Sequence, residues 1–509
     1  MRSILNNFST LLRSAALSAA LLALPLALPL ASRAQSQAHS ASPANSGSPI
    51  RFDVYNRTRI DTWQWFAAPP YSETYDYTES LLRLSLSQRI HHWDWQLELA
   101  QPAMLGLPTD SISSNAAQGQ LGLGGTYYGS NGNNNYPAAA FFKQGYLRYH
   151  FGPDKTLRLG RFEFFEGQEM QPKDSNLAWI QTNRVAQRLI GNFGFTNAQR
   201  SFDGIDAHYG QGAWDVTAMA GRADQGVFNM NGNPELNVDI QYLAYSRFQA
   251  NNHLLWRVFG IGYHDGRTGV LKTDNRPLPV RTADHHNIRL GTYGADLLTS
   301  FQAGHGKADF MAWGVLQSGN WGAQSDSANA VAVEGGYQLN HLASTPWLRA
   351  GYYRGSGDNN PSDNNHNTFF QILPTPRVYA RTPFFNLMNN QDTFVQIIDR
   401  PAKKLELRSD LRWLKLVSSS DLWYLSGGAF DNKVFGYVGR PSNNASSLAT
   451  FSDISADWQT THNLAVNFYY GHAMGKSVIG GIYPVDRNLQ FGYVECVYRW
   501  GVSKKTSPM

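Results

Sequence analysis

Residues 405–413 read Leu405-Glu406-Leu407-Arg408-Ser409-Asp410-Leu411-Arg412-Trp413. On an extended chain Leu405, Leu407, Leu411 and Trp413 share one face, and Glu406, Arg408, Asp410 and Arg412 share the other. Four charges on one face need water, while the opposite face suits hydrocarbon. The pattern recurs at 82–89, where Leu82, Leu84 and Leu86 oppose Arg83, Ser85, Ser87 and Arg89. It recurs at 463–470, with Leu464, Val466, Phe468 and Tyr470 against Asn463, Ala465, Asn467 and Tyr469. Taken singly, each run suits a half-exposed strand of a soluble sandwich equally well. The connections discriminate.

Eighteen such runs can be marked from Arg51 onward, with almost no 3.6-residue periodicity. The gaps between them are 8, 3, 38, 3, 36, 3, 13, 4, 20, 4, 10, 6, 35, 3, 30, 3 and 12 residues, long and short in alternation. Bacterial outer-membrane barrels join their strands by short periplasmic turns and long outer loops. The chain is therefore read as all-β, a transmembrane antiparallel β-barrel over 51–500 with both ends in the periplasm. Without the two faintest runs, 94–101 and 391–400, the count falls to sixteen. A barrel of this size leaves an aqueous channel, because side chains fill the lumen only at about eight strands.

Composition excludes the main competitors. Charged residues are 16% of the 509, against about 25% in soluble domains, while aromatics reach 13%. No apolar run of about 18 residues follows residue 31, so this is not a bundle of membrane-spanning helices. A single cysteine, Cys496, excludes an intrachain disulfide framework and a cysteine-based zinc site. With 42% hydrophobic residues the chain buries too much to be disordered.

Residues 1–34 carry Arg2 and Arg13, an apolar stretch from Ala15 to Ala31, and the small residues Ser32 and Ala34, the layout of a cleaved signal peptide. Its removal takes away Arg2, Arg13 and Arg33 and no acid, leaving 40 basic against 38 acidic residues. That balance gives no support to nucleic-acid binding. Residues 35–50 read as a flexible leader and 501–509 as a C-terminal tail. The expected location is the outer membrane of a Gram-negative-type cell, in contact with its lipid. Trp63, Trp65, Trp93, Trp95, Tyr127, Tyr128, Trp423, Tyr424, Trp458, Tyr498 and Trp500 suit two interfacial aromatic girdles. Gly129 to Asn135 and Ser356 to Asn367, rich in Gly, Asn, Ser and Asp, read as outer loops.

Several segments resemble the alginate-export family of outer-membrane barrels. They are Leu157-Arg158-Leu159-Gly160-Arg161-Phe162, Ser201-Phe202-Asp203-Gly204, and Arg377-Val378-Tyr379-Ala380-Arg381-Thr382-Pro383. Gly436-Tyr437-Val438-Gly439-Arg440-Pro441-Ser442 and Tyr470-Gly471-His472 add to them. The resemblance covers nearly all of the chain after the leader. It implies an eighteen-stranded barrel, an arginine-lined passage and a polyuronate cargo.

Parity places Arg57, Arg59, Arg83, Arg89, Arg148, Arg158, Arg349, Arg408, Arg412 and Arg499 inward. The same parity turns Asp53, Glu79, Glu98, Asp206, Asp215, Asp239, Asp309, Glu334, Glu406, Asp410 and Glu495 inward, so charge count alone gives no anion selectivity. Segregation of arginines at one constriction, with the acids elsewhere or tied into pairs, would give it. A uronate chain carries one carboxylate per sugar, which the planar arginine fork holds bidentately. Several successive weak contacts release cargo better than one tight site. The expected track is Arg57, Arg59, Arg83, Arg148, Arg158 and Arg161, with Arg377 and Arg381 from the 356–390 loop folding in. Arg408 and Arg412 complete the lumen set or brace the wall through Glu406 and Asp410. Arg161 breaks the parity of Arg158, so either a bulge separates them or only one faces the lumen. Turns of three to six residues are too short to plug the passage, so any gate must come from the long loops.

No catalytic, cofactor or metal site is expected, and the chain is not read as an enzyme. His91-His92 with Asp94, and His285-His286 with Asp284, fall at turns or strand starts. Glu163, Glu166, Glu169 and Asp174 read as solvated loop carboxylates without EF-hand spacing. There is no G-x-S-x-G elbow and no phosphate-binding glycine loop. The leading reading is a passive channel exporting an anionic, alginate-like polysaccharide, working with a periplasmic polymer-synthesis or export complex. The alternatives are a porin for small solutes and, behind it, an outer-membrane hydrolase or an adhesin.

Overall fold

A computed structural model describes residues 48–249, 253–375, 381–425, 428 and 431–501. The leader at 1–34 and Arg377 lie outside the described residues. Eighteen strands run antiparallel and close on themselves. They are β1 Arg51–Gln64, β2 Thr74–Ile90, β3 Trp93–Leu105, β4 Phe141–Gly152, β5 Lys155–Phe162 and β6 Phe202–Gln211. Next come β7 Trp214–Asp224, β8 Glu235–Gln249, β9 Leu254–Asp265, β10 Ile288–Ala303, β11 Gly306–Trp321 and β12 Gln324–Gln338. The last six are β13 Trp347–Gly355, β14 Asn390–Ala402, β15 Leu405–Leu416, β16 Ser447–Gln459, β17 Leu464–Gly475 and β18 Asn488–Trp500. β1 pairs with β18 over Val54↔Trp500 to Gln64↔Gln490, which leaves no free edge.

The barrel is hydrophobic outside and charged inside. On β15, Leu411 and Trp413 are 36% and 43% exposed, whereas Arg408 and Arg412 between and below them are 8% and 1% exposed. An aromatic row circles part of the turn end, with ring centroids 5.8 Å apart for Tyr209 and Trp214, 6.3 Å for Trp214 and Tyr245, and 5.4 Å for Tyr245 and Trp256. Trp93, Trp458, Tyr498 and Trp500 are exposed on the same outer face. Trp63, Trp65, Tyr127, Trp423 and Tyr424, expected in the girdles, are instead buried at the loop end. Trp63 has the inward parity of Arg57 and Arg59 on β1, and it stacks on Phe491 at 4.0 Å. Nearness to a strand end does not tell which face an aromatic occupies.

The expected alternation of gaps fails at one place. The ten-residue connection expected between the eleventh and twelfth strands is the tight turn Gly322-Ala323, and the following turn, 339–346, is the longer one. Backbone pairing continues through the polar residues 318–327, as Ser318↔Ser327 and Asn320↔Ser325 show. Strands keep their ladder above the hydrocarbon layer, where no apolar face is required. Asp239 also departs from the expected inward parity, since it faces outward between Arg222 and His264.

Candidate functional site

The connection 163–201 (loop L3) and the connection 356–389 (loop L7) are too apolar to lie in water. L3 contributes Leu177, Ile180, Val185, Leu189, Phe193 and Phe195, and L7 contributes Phe369, Phe370, Ile372, Leu373, Phe384 and Leu387; all are buried. Both loops turn into the lumen and pair there. The Leu373 amide donates to the Leu189 carbonyl at 2.7 Å, the Gly191 amide to Leu373 at 2.9 Å and the Thr375 amide to Gln187 at 2.9 Å. A short helix in L3, Ser175–Ile180, is capped by Asp174, which accepts from the Asn176 and Leu177 amides. Inward wall aromatics, Trp63, Trp313, Trp321, Phe451 and Phe491, join the same core. The open channel expected of eighteen strands is thus filled at its loop half, and the fill is packed like a protein interior.

Charged spokes hold L3 to the wall. Arg57 of β1 donates to the Gly194 carbonyl at 2.6 Å and to that of Thr196 at 2.7 Å. Arg59 donates to Phe195 at 3.1 Å and lies 4.3 Å over its ring. On β2, Arg83 reaches Glu163 at 3.1 Å and the Gln199 side chain at 2.9 Å. Across the barrel Arg257 of β9 binds Glu166 at 2.6 Å, and Arg184 of L3 binds Glu334 of β12 at 2.7 Å. Trp179 donates to Glu406 of β15 at 3.1 Å. Glu163, Glu166, Glu169 and Asp174, expected to be solvated, are therefore anchors. Glu169 accepts from Tyr242, and Asp174 pairs with Lys307.

Below the plug, at the turn end, lies a cavity of about 620 Å³. Its wall is the contiguous arc β15–β18 and β1–β5; its ceiling is L3 and L7, including Phe195, Trp179 and Arg381. Among the described residues, eight arginines and no lysine line it, facing six carboxylates. Most of the acids are tied into pairs. Arg83 bridges Glu98 and Glu163, Arg158 holds Asp206, and Arg381 of L7 grips Asp457 with bonds of 2.8 and 3.3 Å. Arg148 reaches Asp94 only at 3.9 Å. Among the described residues, Arg408 and Arg499 have no carboxylate within ion-pair distance, and the Arg408 Nε is buried without a hydrogen-bond partner.

The expected track thus divides. Arg57, Arg83, Arg148, Arg158, Arg381 and Arg408 border the cavity. Arg59 is wholly buried among Asp61, Glu79 and Glu495, and Arg412 is buried between Asp392 and Asp410. Arg161 is on the opposite face from Arg158. The register Arg158↔Asp206 and Arg161↔Asp203 contains no bulge, so three positions along the strand turn the side chain outward, where Asp203 and the Asn233 carbonyl hold it. Sequence reading missed the plug's own cations, Arg184, Arg188 and Arg200, because loop residues have no parity. Arg257 was legible, since it alternates with the buried Leu255, Phe259 and Ile261 of β9.

The model of the family described as alginate export matches residues 137–476, about two thirds of the sequence. The chain belongs to the alginate export family. No curated protein sequence matches this alginate-export barrel. Among solved structures it is similar to the outer membrane protein OpdK of Pseudomonas aeruginosa, at 9% identity and a TM-score of 0.51, covering 89% of this chain and 99% of that one. OccAB2 of Acinetobacter baumannii is similar at 9% identity and a TM-score of 0.54, covering 89% and 98%. OccK2 (OpdF) of P. aeruginosa, determined in complex with glucuronate, is similar at 8% identity and a TM-score of 0.53, covering 88% and 97%. These likenesses concern the fold, an outer-membrane barrel. The alginate-export barrel is accordingly an outer-membrane channel protein, in contact with lipid around it and with a polysaccharide or solute within.

Proposed function

We propose that this channel passes an anionic polysaccharide of the polyuronate class out of the periplasm, entering at the turn-end cavity, without a catalytic step. One observation supports the reading: among the described residues, every cation of the cavity wall is an arginine, and Arg408 and Arg499 make no ion pair while the acids around them are engaged. A carboxylate arriving from the periplasm meets planar, fixed donors that no carboxylate yet holds in contact. Arg148 and Arg381 continue the track, and their partners are long-range or half-exposed, so an incoming carboxylate competes for them. A periplasmic synthesis or export complex would deliver the chain to this mouth.

The second reading is a porin for small acids. The interlocked core of L3 and L7 supports it, because a single sugar acid needs a smaller opening than a polymer. The glucuronate bound to OccK2 is a ligand of that size. Planar-bilayer recording of the full chain separates the two. Block of the open channel by uronate oligomers, strengthening with their length and weakened in Arg408→Gln/Arg499→Gln, is expected for the first. Block by the monomer that gains nothing with length would establish the second, and indifference to both would remove the carboxylate argument.

A further inference from the structure

The outer wall bears a second polar feature, unconnected with the lumen. At the loop end of β7 to β11 the register sets Arg222, Asp239, His264, Arg289 and Asn320 side by side. All face away from the barrel. Arg222 donates to Asp239 at 2.8 Å, and His264 approaches the same carboxylate at 3.3 Å. That acid is spoken for. Among the described residues, Arg289, exposed, has no ion-pair or hydrogen-bond partner for its guanidinium.

Directly beneath this row the wall is indented. Gly262, flanked by Gln241, and Gly291, overlain by the Tyr293 ring, replace side chains there, and with Ser318 beside them and Arg289 and His264 above they outline a groove of about 460 Å³. Below the groove, on the same strands, the outward residues are Leu243, Val258, Tyr293 and Leu316, all strongly exposed. They belong to the apolar band that meets lipid. The groove therefore lies at the junction between hydrocarbon and headgroups. An arginine on the lipid face is tolerated there at about 0–1 kcal/mol but not at the midplane. Long loops face the cell exterior in barrels of this type, so the junction is that of the outer leaflet.

We infer that this groove binds the phosphorylated diglucosamine of an outer-leaflet lipid A. A phosphate accepts two parallel bonds from the Arg289 fork, with His264 and Asn320 as flanking polar groups. The sugar lies over Gly262, between Gln241 and the Tyr293 ring, and acyl chains run down past Leu243, Val258 and Leu316. Charge complementarity and continuity with the apolar band choose a lipid over a soluble phosphate. Only a molecule with both a phosphate and acyl chains spans the two halves.

Native mass spectrometry of the full chain, folded in detergent, tests this with bisphosphorylated lipid A, its dephosphorylated form and inorganic phosphate. Wild type should retain bisphosphorylated lipid A, and Arg289→Glu should weaken retention at least about tenfold by setting charge against charge. Gly262→Leu, which fills the floor without touching the charge, should weaken it comparably. Arg354→Gln, on the outer face of β13 and remote from the groove, should leave it unchanged. Heat-dependent mobility on gels confirms that each variant is folded, and either groove variant suffices if the other fails to fold. Wild-type retention in the folded groove variants, equal binding of the dephosphorylated lipid, or displacement by inorganic phosphate would each overturn the assignment.

Discussion

The two halves of the lumen use charge in opposite ways. In the loop half, the cations that clasp the plug to the wall are paired: Arg59 faces three carboxylates and a loop carbonyl with no exposed surface. In the turn half, Arg408 and Arg499 border an open cavity and make no ion pair among the described residues; Asp410, Asp453 and Asp457 act on Arg408 only from beyond contact distance. The difference teaches that arginine number is a poor guide to selectivity. What matters is whether a guanidinium still has an unspent charge where cargo passes, and a buried, fully paired one does not.

The largest effect expected is on the plug itself. Replacing residues 175–199 by a short Gly-Ser linker should raise single-channel conductance by about tenfold or more, since an unobstructed barrel of this strand number is an aqueous channel. Unchanged conductance would mean that the loop-half core does not obstruct flow. Next comes the clasp. Arg59→Ala leaves Asp61 and Glu79 buried without their cation, a cost of about 3–5 kcal/mol, and should expose 187–199 to protease. Arg412→Ala costs the wall a similar pair but makes no hydrogen bond to L3, so L3 should stay protected. Equal proteolysis of the two variants would erase the distinction between spoke and brace.

A smaller effect concerns the outer edge of the plug, where Asp421 ties connection 417–446 to L7. It accepts from Thr368 at 2.6 Å, from Tyr424 at 2.8 Å and from the Asp358 amide at 3.0 Å. Burial raises its carboxyl to about 6, against the lowering effect of those hydrogen bonds. The native state then holds a proton that the unfolded chain has lost between about pH 4 and pH 6, so stability falls as pH rises through that window and levels off above it. Two units correspond to about 2–3 kcal/mol at most. Protection factors of 358–368, corrected for the intrinsic pH dependence of exchange, should be higher at pH 5 than at pH 6.5, and Asp421→Asn should remove the difference. The smallest effect is the most diagnostic for function. Arg408→Gln should lower anion preference in a salt gradient by a few millivolts without moving thermal stability by more than about 1 kcal/mol, because no ion pair is broken. A large stability loss with unaltered selectivity would return Arg408 to the wall.

Strands, pairing order and the facing of wall residues were legible before any coordinates, because membrane and lumen impose opposite demands on alternate residues. The run at 405–413 proved to be a wall strand with Leu411 and Trp413 outside and Arg408, Asp410 and Arg412 inside. The same rule set Arg158 inward and Arg161 out of its parity, and left open whether a bulge between them turned both in. It failed where the chain left the hydrocarbon layer: at Gly322-Ala323, at Asp239, and at loop-end aromatics such as Trp63. Composition also misjudged L7, since the polar stretch 356–367 precedes Phe369, Phe370, Ile372 and Leu373, which are buried.

By itself, the amino-acid sequence determined a closed antiparallel barrel and the parity of its wall, because a period of two is a local property that every strand repeats. Only the tertiary structure decided that L3 and L7 fill the lumen and that Arg57, Arg59, Arg83 and Arg257 hold them there. It alone showed Arg408 and Arg499 to be without an ion pair among the described residues. Those facts depend on groups such as Arg57 and Thr196, 139 positions apart in the chain, and no local pattern encodes which distant partner a buried charge will meet.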